Sequence, residues 1–370
     1  MDIFFVLSGF LVSGLLFAEF KRTGTLSVGR FLLRRGFKIY PAFWVMIGAT
    51  ALVRCWTHDE LGLPFNLMGE LLFIQNYAGN IGNLWGHTWS LAVEEHFYFL
   101  LAALCWLLVT KSKAGIRSLP VVFAVIAIGC LALRVSAATQ LSPSSWIGAN
   151  QLPPDVCFTV LFPTHLRLDS LMCGVAVAYW WHFCMSAQQI KAASRWWIAC
   201  VVVGMAFCLP AFVWDLSECL WVPVLGVVAF YIGAAFIMIG LHVAPGLPAT
   251  KFAVATAWLG THSYSVYLWH RPTQAWGARL MEAWLGHRPS WVVLGLVYLV
   301  ASWMVGVTLA KLIETPALRL RDALMKKSDP VQRHLKSSPV RLAPNETDLP
   351  TRIKPGEVAS LSGARAATPN

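Results

Sequence analysis

Met1-Asp2-Ile3-Phe4-Phe5-Val6-Leu7-Ser8-Gly9-Phe10-Leu11 opens an apolar run that extends to residue 20. A helix over 3–20 has the length needed to cross a hydrocarbon layer, which takes roughly 20 residues. The rest of the chain repeats this texture. Of 370 residues, 57% are hydrophobic and only 13% charged, and the mean hydropathy is +0.60. A soluble domain carries about 25% charged residues. That is too little charge to coat a globule of this size, so the chain reads as all-α, a polytopic transmembrane helical bundle.

Working outward, we read about nine spans, near 3–20, 39–56, 90–109, 119–137, 165–184, 196–214, 220–243, 252–277 and 290–313. The stretch 64–78 is apolar but short and holds Glu70, Gln75 and Asn76, so it is expected to be interfacial or re-entrant. The 18 tryptophans suit membrane–water interfaces. Residues 1–325 form the membrane domain in this reading. From 326 to 370, Pro, Ser, Lys and Arg replace the large apolar residues, which predicts a disordered tail.

The basic residues alternate between connections. Lys21, Arg22, Arg30, Arg34, Arg35 and Lys38 fill the first, Lys111, Lys113 and Arg117 the third, Lys191 and Arg195 the fifth, and Lys251 the seventh. Asp59, Glu60, Asp155, Asp215 and Glu218 lie in the opposite loops. Positive charge marks the cytoplasmic side. The expected topology therefore puts the first residue outside and the C-terminus in the cytoplasm. The net charge of +11 follows from orientation, and nucleic acid is not expected as a partner. The nine cysteines show no metal-type spacing, and no metal is expected. Cys157 and Cys219 fall in predicted outer loops, where a disulfide is conceivable.

Polar residues at membrane depth mark function by default. The sharpest cluster runs from Trp85 to Tyr98. Ser90, Glu94 and Tyr98 follow at i, i+4 and i+8, forming one stripe on a helix, with Glu95 one step round and Trp89 beside it. Two adjacent carboxylates in a poor dielectric do not both ionise readily, which suits acid/base work or orientation of a histidine. The alternative is a structural network between helices. A second cluster, Thr164 to Ser170, spaces His165 and Asp169 for a hydrogen bond, with Arg167 pointing elsewhere. Its alternative is an Arg/Asp pair that locks two helices. The third, Thr261 to Pro272, puts Ser263, Tyr267 and His270 or Arg271 on neighbouring positions. His270 is a base or merely a solvated interfacial histidine. The fourth, Arg30 to Pro41, offers Arg30, Arg34, Arg35 and Lys38 as a phosphate cradle or as a site for anionic lipid. Ser8, before Gly9, suits close helix packing, and Asp2 is expected at the interface.

Together these blocks resemble the acyltransferase 3 family of integral-membrane O-acyltransferases. Asp2 to Leu11, Arg30 to Pro41, Thr88 to Tyr98, Arg167 to Gly174, Ser263 to Arg271 and Leu312 to Pro316 match its patterns in order, up to about Arg321. The resemblance implies transfer of an acyl group, often acetyl, from cytoplasmic acyl-CoA to a hydroxyl of a surface polysaccharide or glycolipid. It implies residence in the lipid bilayer of a bacterial inner membrane. It assigns acyl-CoA phosphates to Arg30, Arg34, Arg35 and Lys38. The resemblance itself names no catalytic histidine in this chain; our own reading expects catalysis from Glu94 and Glu95, with His270 as the base if the chain supplies it. Ser8, Trp89, Ser90, Tyr98, Arg167, Asp169 and Tyr267 are assigned to the acceptor substrate. Lys38 departs from an arginine in the pattern, and lysine holds phosphate as a point charge only. The family pattern also carries a preceding helix with an arginine and a histidine, so a truncated form is one expectation. A lipid or glycolipid transporter and a non-catalytic remnant remain open beside the enzyme.

Overall fold

A computed structural model of the chain describes residues 1–57, 63–77, 84–111, 115–141, 156–214, 222–245, 250–287 and 289–328. Asp59, Glu60, Lys113, Asp155, Asp215, Glu218, Cys219 and the tail from 329 lie outside the described residues. The described residues are helical and contain no strand. The principal helices are α1 (Asp2–Thr23), α2 (Val28–Trp56), α3 (Leu63–Leu71), α4 (Trp89–Thr110), α5 (Leu119–Gln140) and α6 (Leu168–Tyr179). They continue with α7 (Trp197–Cys208), α8 (Val227–Val243), α9 (Lys251–Leu285), α10 (Trp291–Leu309) and α11 (Thr315–Ser328). Met1–Arg321 form one compact unit.

Among the described residues, seven helical segments are long and apolar enough to cross a membrane. They cover α1, α2, α4, α5, α7, α8 and α10, so the protein is an integral membrane protein. The expected count of nine is not reached. The two remaining segments are helices, but of a different kind. α6 has 12 α-helical residues and continues only through a π-helical turn, Trp180–Cys184. α9 has 35 residues, but His262, Ser263, Ser265, His270 and Arg271 dilute its apolar face. Left-handed glycines end α1 and α9, Gly24 at φ 71° and Gly286 at φ 72°, a conformation that costs glycine nothing.

α1 and α6 meet backbone to backbone. A Cβ on Gly9 would lie 2.0 Å from the Leu171 carbonyl oxygen, and one on Gly174 would lie 2.1 Å from that of Val6. Without a hydrophobic force between helices in lipid, such contact supplies the packing energy. Phe5, Phe17, Phe43, Met46, Phe97, Leu101 and Leu171 fill the core around this pair.

The stretch expected to be interfacial or re-entrant folds in part as α3, nine residues long, far short of a crossing. It reverses at Phe73, a non-glycine residue at φ 55°. Its ring stacks on Phe43 at 5.0 Å, which holds this unfavourable backbone in place. The reversal carries Glu70, Gln75 and Asn76 into the interior, where all three are buried.

Candidate active site

The stripe on α4 forms a polar seam through the core. Tyr267 of α9 donates to the His87 carbonyl at 2.7 Å and shares a 2.7 Å hydrogen bond with Ser90. One turn on, Tyr98 donates to Glu94 Oε2 at 2.5 Å. Ser8 of α1 lies 2.9 Å from the Tyr98 hydroxyl and 3.4 Å from the same carboxylate oxygen. Glu95 faces α2, where Tyr40 donates to its Oε2 at 2.9 Å. Its buried Oε1 has no hydrogen-bond partner among the described residues. The Arg35 guanidinium lies over the Tyr98 ring, 5.7 Å from its centre. From His87 to Tyr98 the seam spans about 16 Å at 1.5 Å per residue.

At one end of the seam stand two histidines. The turn Gly86–Thr88 delivers His87, buried, against α9. Its ring meets that of His270 edge to face, centres 4.7 Å apart. His87 Nε2 lies 3.2 Å from the Leu268 carbonyl, and His270 Nδ1 lies 2.5 Å from the Tyr267 carbonyl. A carbonyl oxygen can only accept, so these contacts assign the proton to Nε2 on His87 and to Nδ1 on His270. The lone pairs that remain are on His87 Nδ1 and His270 Nε2. Glu94 bonds Ser8 and Tyr98 rather than a histidine among the described residues.

The turn that carries His87 is held from α3. Glu70 Oε1 accepts from Thr88 Oγ1 at 2.7 Å and from the Leu84 N–H at 3.0 Å, and Gln75 donates to the Thr88 carbonyl at 3.1 Å. Glu70 lies outside the spanning helices, and burial pushes its carboxyl up to about 7 despite those donors.

The second cluster is an ion-pair lock. Arg134, fully buried in α5, grips Asp169 at 3.1 and 2.6 Å and donates to the Leu166 carbonyl at 2.5 Å. Arg167 pairs with Asp2 at 2.7 Å, and Ser170 donates to the same oxygen at 2.7 Å. The expected His165–Asp169 hydrogen bond is not formed, because Arg134 takes both carboxylate oxygens. His165 stacks on Tyr77 instead, centres 5.8 Å apart. Asp2, expected at the interface, is buried. Trp89 stacks on Phe162, centres 4.5 Å apart, and lies 5.7 Å beneath the Arg167 guanidinium.

The basic stretch divides in two. Arg34 is exposed and Arg30 half-buried. Arg35 lines a groove of about 460 Å³ together with Gly29, Gly36, Tyr40, Glu95 and Tyr98. Lys38 turns away to form an ion pair with Glu314, whose other oxygen accepts from Ser265 at 2.8 Å. Glu314 closes the π-helical turn Ala310–Glu314 ahead of Pro316, an irregularity that aims one side chain inward.

Sequence reasoning singled out the α4 stripe but not Arg134, Glu314 or His87 as site residues. Arg134 had a readable signal: a lone arginine inside an apolar run needs a partner.

The chain matches the family model described as an acyltransferase domain over residues 1–309. It belongs to the acyltransferase 3 family. It is 26% identical over 337 residues to the peptidoglycan O-acetyltransferase OatA of Listeria monocytogenes, covering 85% of this chain and 50% of the relative. It is 25% identical to the O-acetyltransferase OatA of Staphylococcus aureus strain NCTC 8325, covering 74% of this chain and 45% of the relative. A putative O-acetyltransferase of S. aureus strain COL is 24% identical over 288 residues. The chain spans about half the length of these relatives. No solved structure matches it. Within this acyltransferase 3 domain, the blocks beginning at Asp2, Thr88 and Ser263 meet along one seam, although they lie far apart in sequence.

Proposed function

We propose that the chain carries out O-acylation at a bacterial inner membrane. An acyl group, acetyl in this reading, passes from cytoplasmic acyl-CoA to a hydroxyl of a surface polysaccharide or glycolipid. The observation that carries the proposal is the seam, which joins an apolar groove at one end to a histidine pair at the other. The groove fits a thioester arm. Gly29 and Gly36 leave its wall low, Arg35 supplies a cation, and Glu95, whose buried Oε1 has no partner among the described residues, lines it. Arg30 and Arg34 stand one turn apart beyond it for phosphates. Lys38 serves instead to tie α2 to Glu314.

Acyl-CoA supplies the activated acyl carbon. The thioester C–S bond breaks, an ester C–O bond forms, and the acceptor's hydroxyl proton ends on the released thiol. The thioester arm would run from the groove along the seam, past Tyr98 and Glu94, to bring that carbon to the histidine end, and Ser8 holds Tyr98 and Glu94 in place. The lone pairs on His87 and His270 are placed to take the proton from an arriving hydroxyl. The O-acetyltransferase names of the relatives favour acetyl, and the basic first connection favours a cytoplasmic donor.

Glu94→Gln tests the reading. It keeps the shape of the seam and removes its titratable carboxyl. Label transfer from radiolabelled acetyl-CoA in native membranes is expected to fall at least roughly 100-fold, with an unchanged melting temperature. Unchanged turnover would remove Glu94 from the chemistry.

A further inference from the structure

A second cavity, of about 510 Å³, lies between α9 and α10. Trp85, Arg271, Thr273, Gln274, Trp291 and Tyr298 are among its lining residues. Its size is ordinary for a small-ligand site.

Its position follows from α2. Lys38 of α2 meets Glu314, and Ile39 accepts from Tyr264 at 2.8 Å. Thr50 of α2 accepts from the Trp85 indole at 2.9 Å. Lys38 and Thr50 are separated by about 18 Å of helix at 1.5 Å per residue. The cavity is therefore at the end of the bundle away from Arg30 and Arg34. It also adjoins the seam: Trp85 precedes His87 by two residues, Arg271 follows His270, and the Tyr298 ring centre lies 6.5 Å from that of His270.

The lining has a chemical character. Its aromatic faces and amide suit the faces and hydroxyls of a sugar ring. The Trp85 ring is fixed in advance by Thr50 and by the edge of Trp276, centres 5.9 Å apart. Among the described lining residues, Arg271 bears the only formal charge. One of its N–H groups goes to Gln274 Oε1 at 2.8 Å. This contact holds the guanidinium in place and uses one of its five donors.

We propose that this cavity is the acceptor subsite and that Arg271 selects a sugar bearing a negative charge. The proposal rests on the acyl-transfer reading, in that it names the substrate class of the same site. A ring seated on Trp85 and Tyr298, with its carboxylate on Arg271, brings a neighbouring hydroxyl to His270 Nε2.

The test is binding, not turnover. The full-length protein in phosphatidylcholine nanodiscs is titrated with N-acetylglucosamine and N-acetylmuramic acid, which share a ring and differ by a lactyl carboxylate. The wild type is expected to bind the charged sugar about tenfold more tightly. Arg271→Gln is expected to erase the difference and Arg271→Lys to retain part of it. Equal binding of the two sugars by the wild type overturns the proposal, as does binding of neither, or a preference that survives Arg271→Gln. Loss of the preference on adding phosphatidylglycerol to the bilayer also overturns it, because the cavity would then be a lipid headgroup site. Glu94→Gln, expected to abolish transfer, should keep the preference. The two readings therefore fail separately: unaffected transfer in Glu94→Gln removes the enzymatic reading, and a missing preference removes this one.

Discussion

Two helix interfaces use the same packing device to different ends. Between α7 and α8, a Cβ on Gly204 would lie 2.6 Å from the Gly233 carbonyl oxygen, and one on Gly240 would lie 2.8 Å from that of Trp197. Neither helix contains an aspartate, glutamate, lysine or arginine. Between α1 and α6, glycines bring the backbones as close, yet Asp2, Ser8, Arg167, Asp169 and Ser170 lie along the contact or beside it. Close glycine contact packed by apolar side chains, without an ion pair, therefore joins two helices in this molecule. The polar groups of the second interface are not needed for packing, and burying them costs free energy. Their presence sets this interface apart from the α7–α8 one, and through Ser8 it reaches the seam.

The comparison breaks most visibly at the ion pairs. Asp169→Ala leaves Arg134 buried and unpaired, a change worth about 3–5 kcal/mol of destabilisation. Thermal unfolding in nanodiscs should show it as a large drop. Arg134→Met combined with Asp169→Leu removes both charges and is expected to recover most of the loss. If the double variant is no better than Asp169→Ala alone, the cost lies in packing shape rather than in stranded charge.

That pair also shows what could be read in advance. Ser90, Glu94 and Tyr98 share one helix, so their spacing alone put them on one stripe. Arg134 and Asp169 sit on different helices, 35 positions apart, and no periodicity connects them. Local spacing suggested His165 for Asp169, and a distant cation with better geometry displaced it. Lys38 followed the same logic, since its partner Glu314 is 276 residues away. Among the described residues seven of the nine expected spans are long and apolar enough to cross; α6 falls short in length, and in α9 polar side chains lower the apolar signal. The fold class needed only composition, and the stripe needed only helical spacing. The seam needed the tertiary arrangement.

pH separates the two regions next. Glu70 props the turn that bears His87, and its folded-state value of about 7 stands above the ordinary 4.5. Between those values the folded protein holds a proton that the unfolded chain has released. Stability contributed there is present at low pH and is lost as pH rises toward 7, by on the order of 3 kcal/mol at most. The melting temperature should fall from pH 5 to pH 8 in the wild type and flatten in Glu70→Gln. A slope that persists in Glu70→Gln would assign the pH response to another group. The α7–α8 interface has no aspartate or glutamate to contribute one.

The smallest effects come from the glycines, and they test the comparison most directly. Gly9→Ala must push a carbon that would sit 2.0 Å from the Leu171 oxygen, whereas Gly204→Ala starts at 2.6 Å. Both should destabilise by about 1–3 kcal/mol, Gly9→Ala the more. Their effects on transfer should differ in kind. Gly204→Ala lowers only the fraction of folded protein, so turnover per folded molecule stays constant. Gly9→Ala shifts the neighbouring Ser8, whose hydroxyl lies 2.9 Å from Tyr98, so turnover per folded molecule should fall as well. Equal turnover per folded molecule in the two variants would mean that the α1–α6 contact is scaffolding like the other, and that the chemistry depends on α4 and α9 without α1.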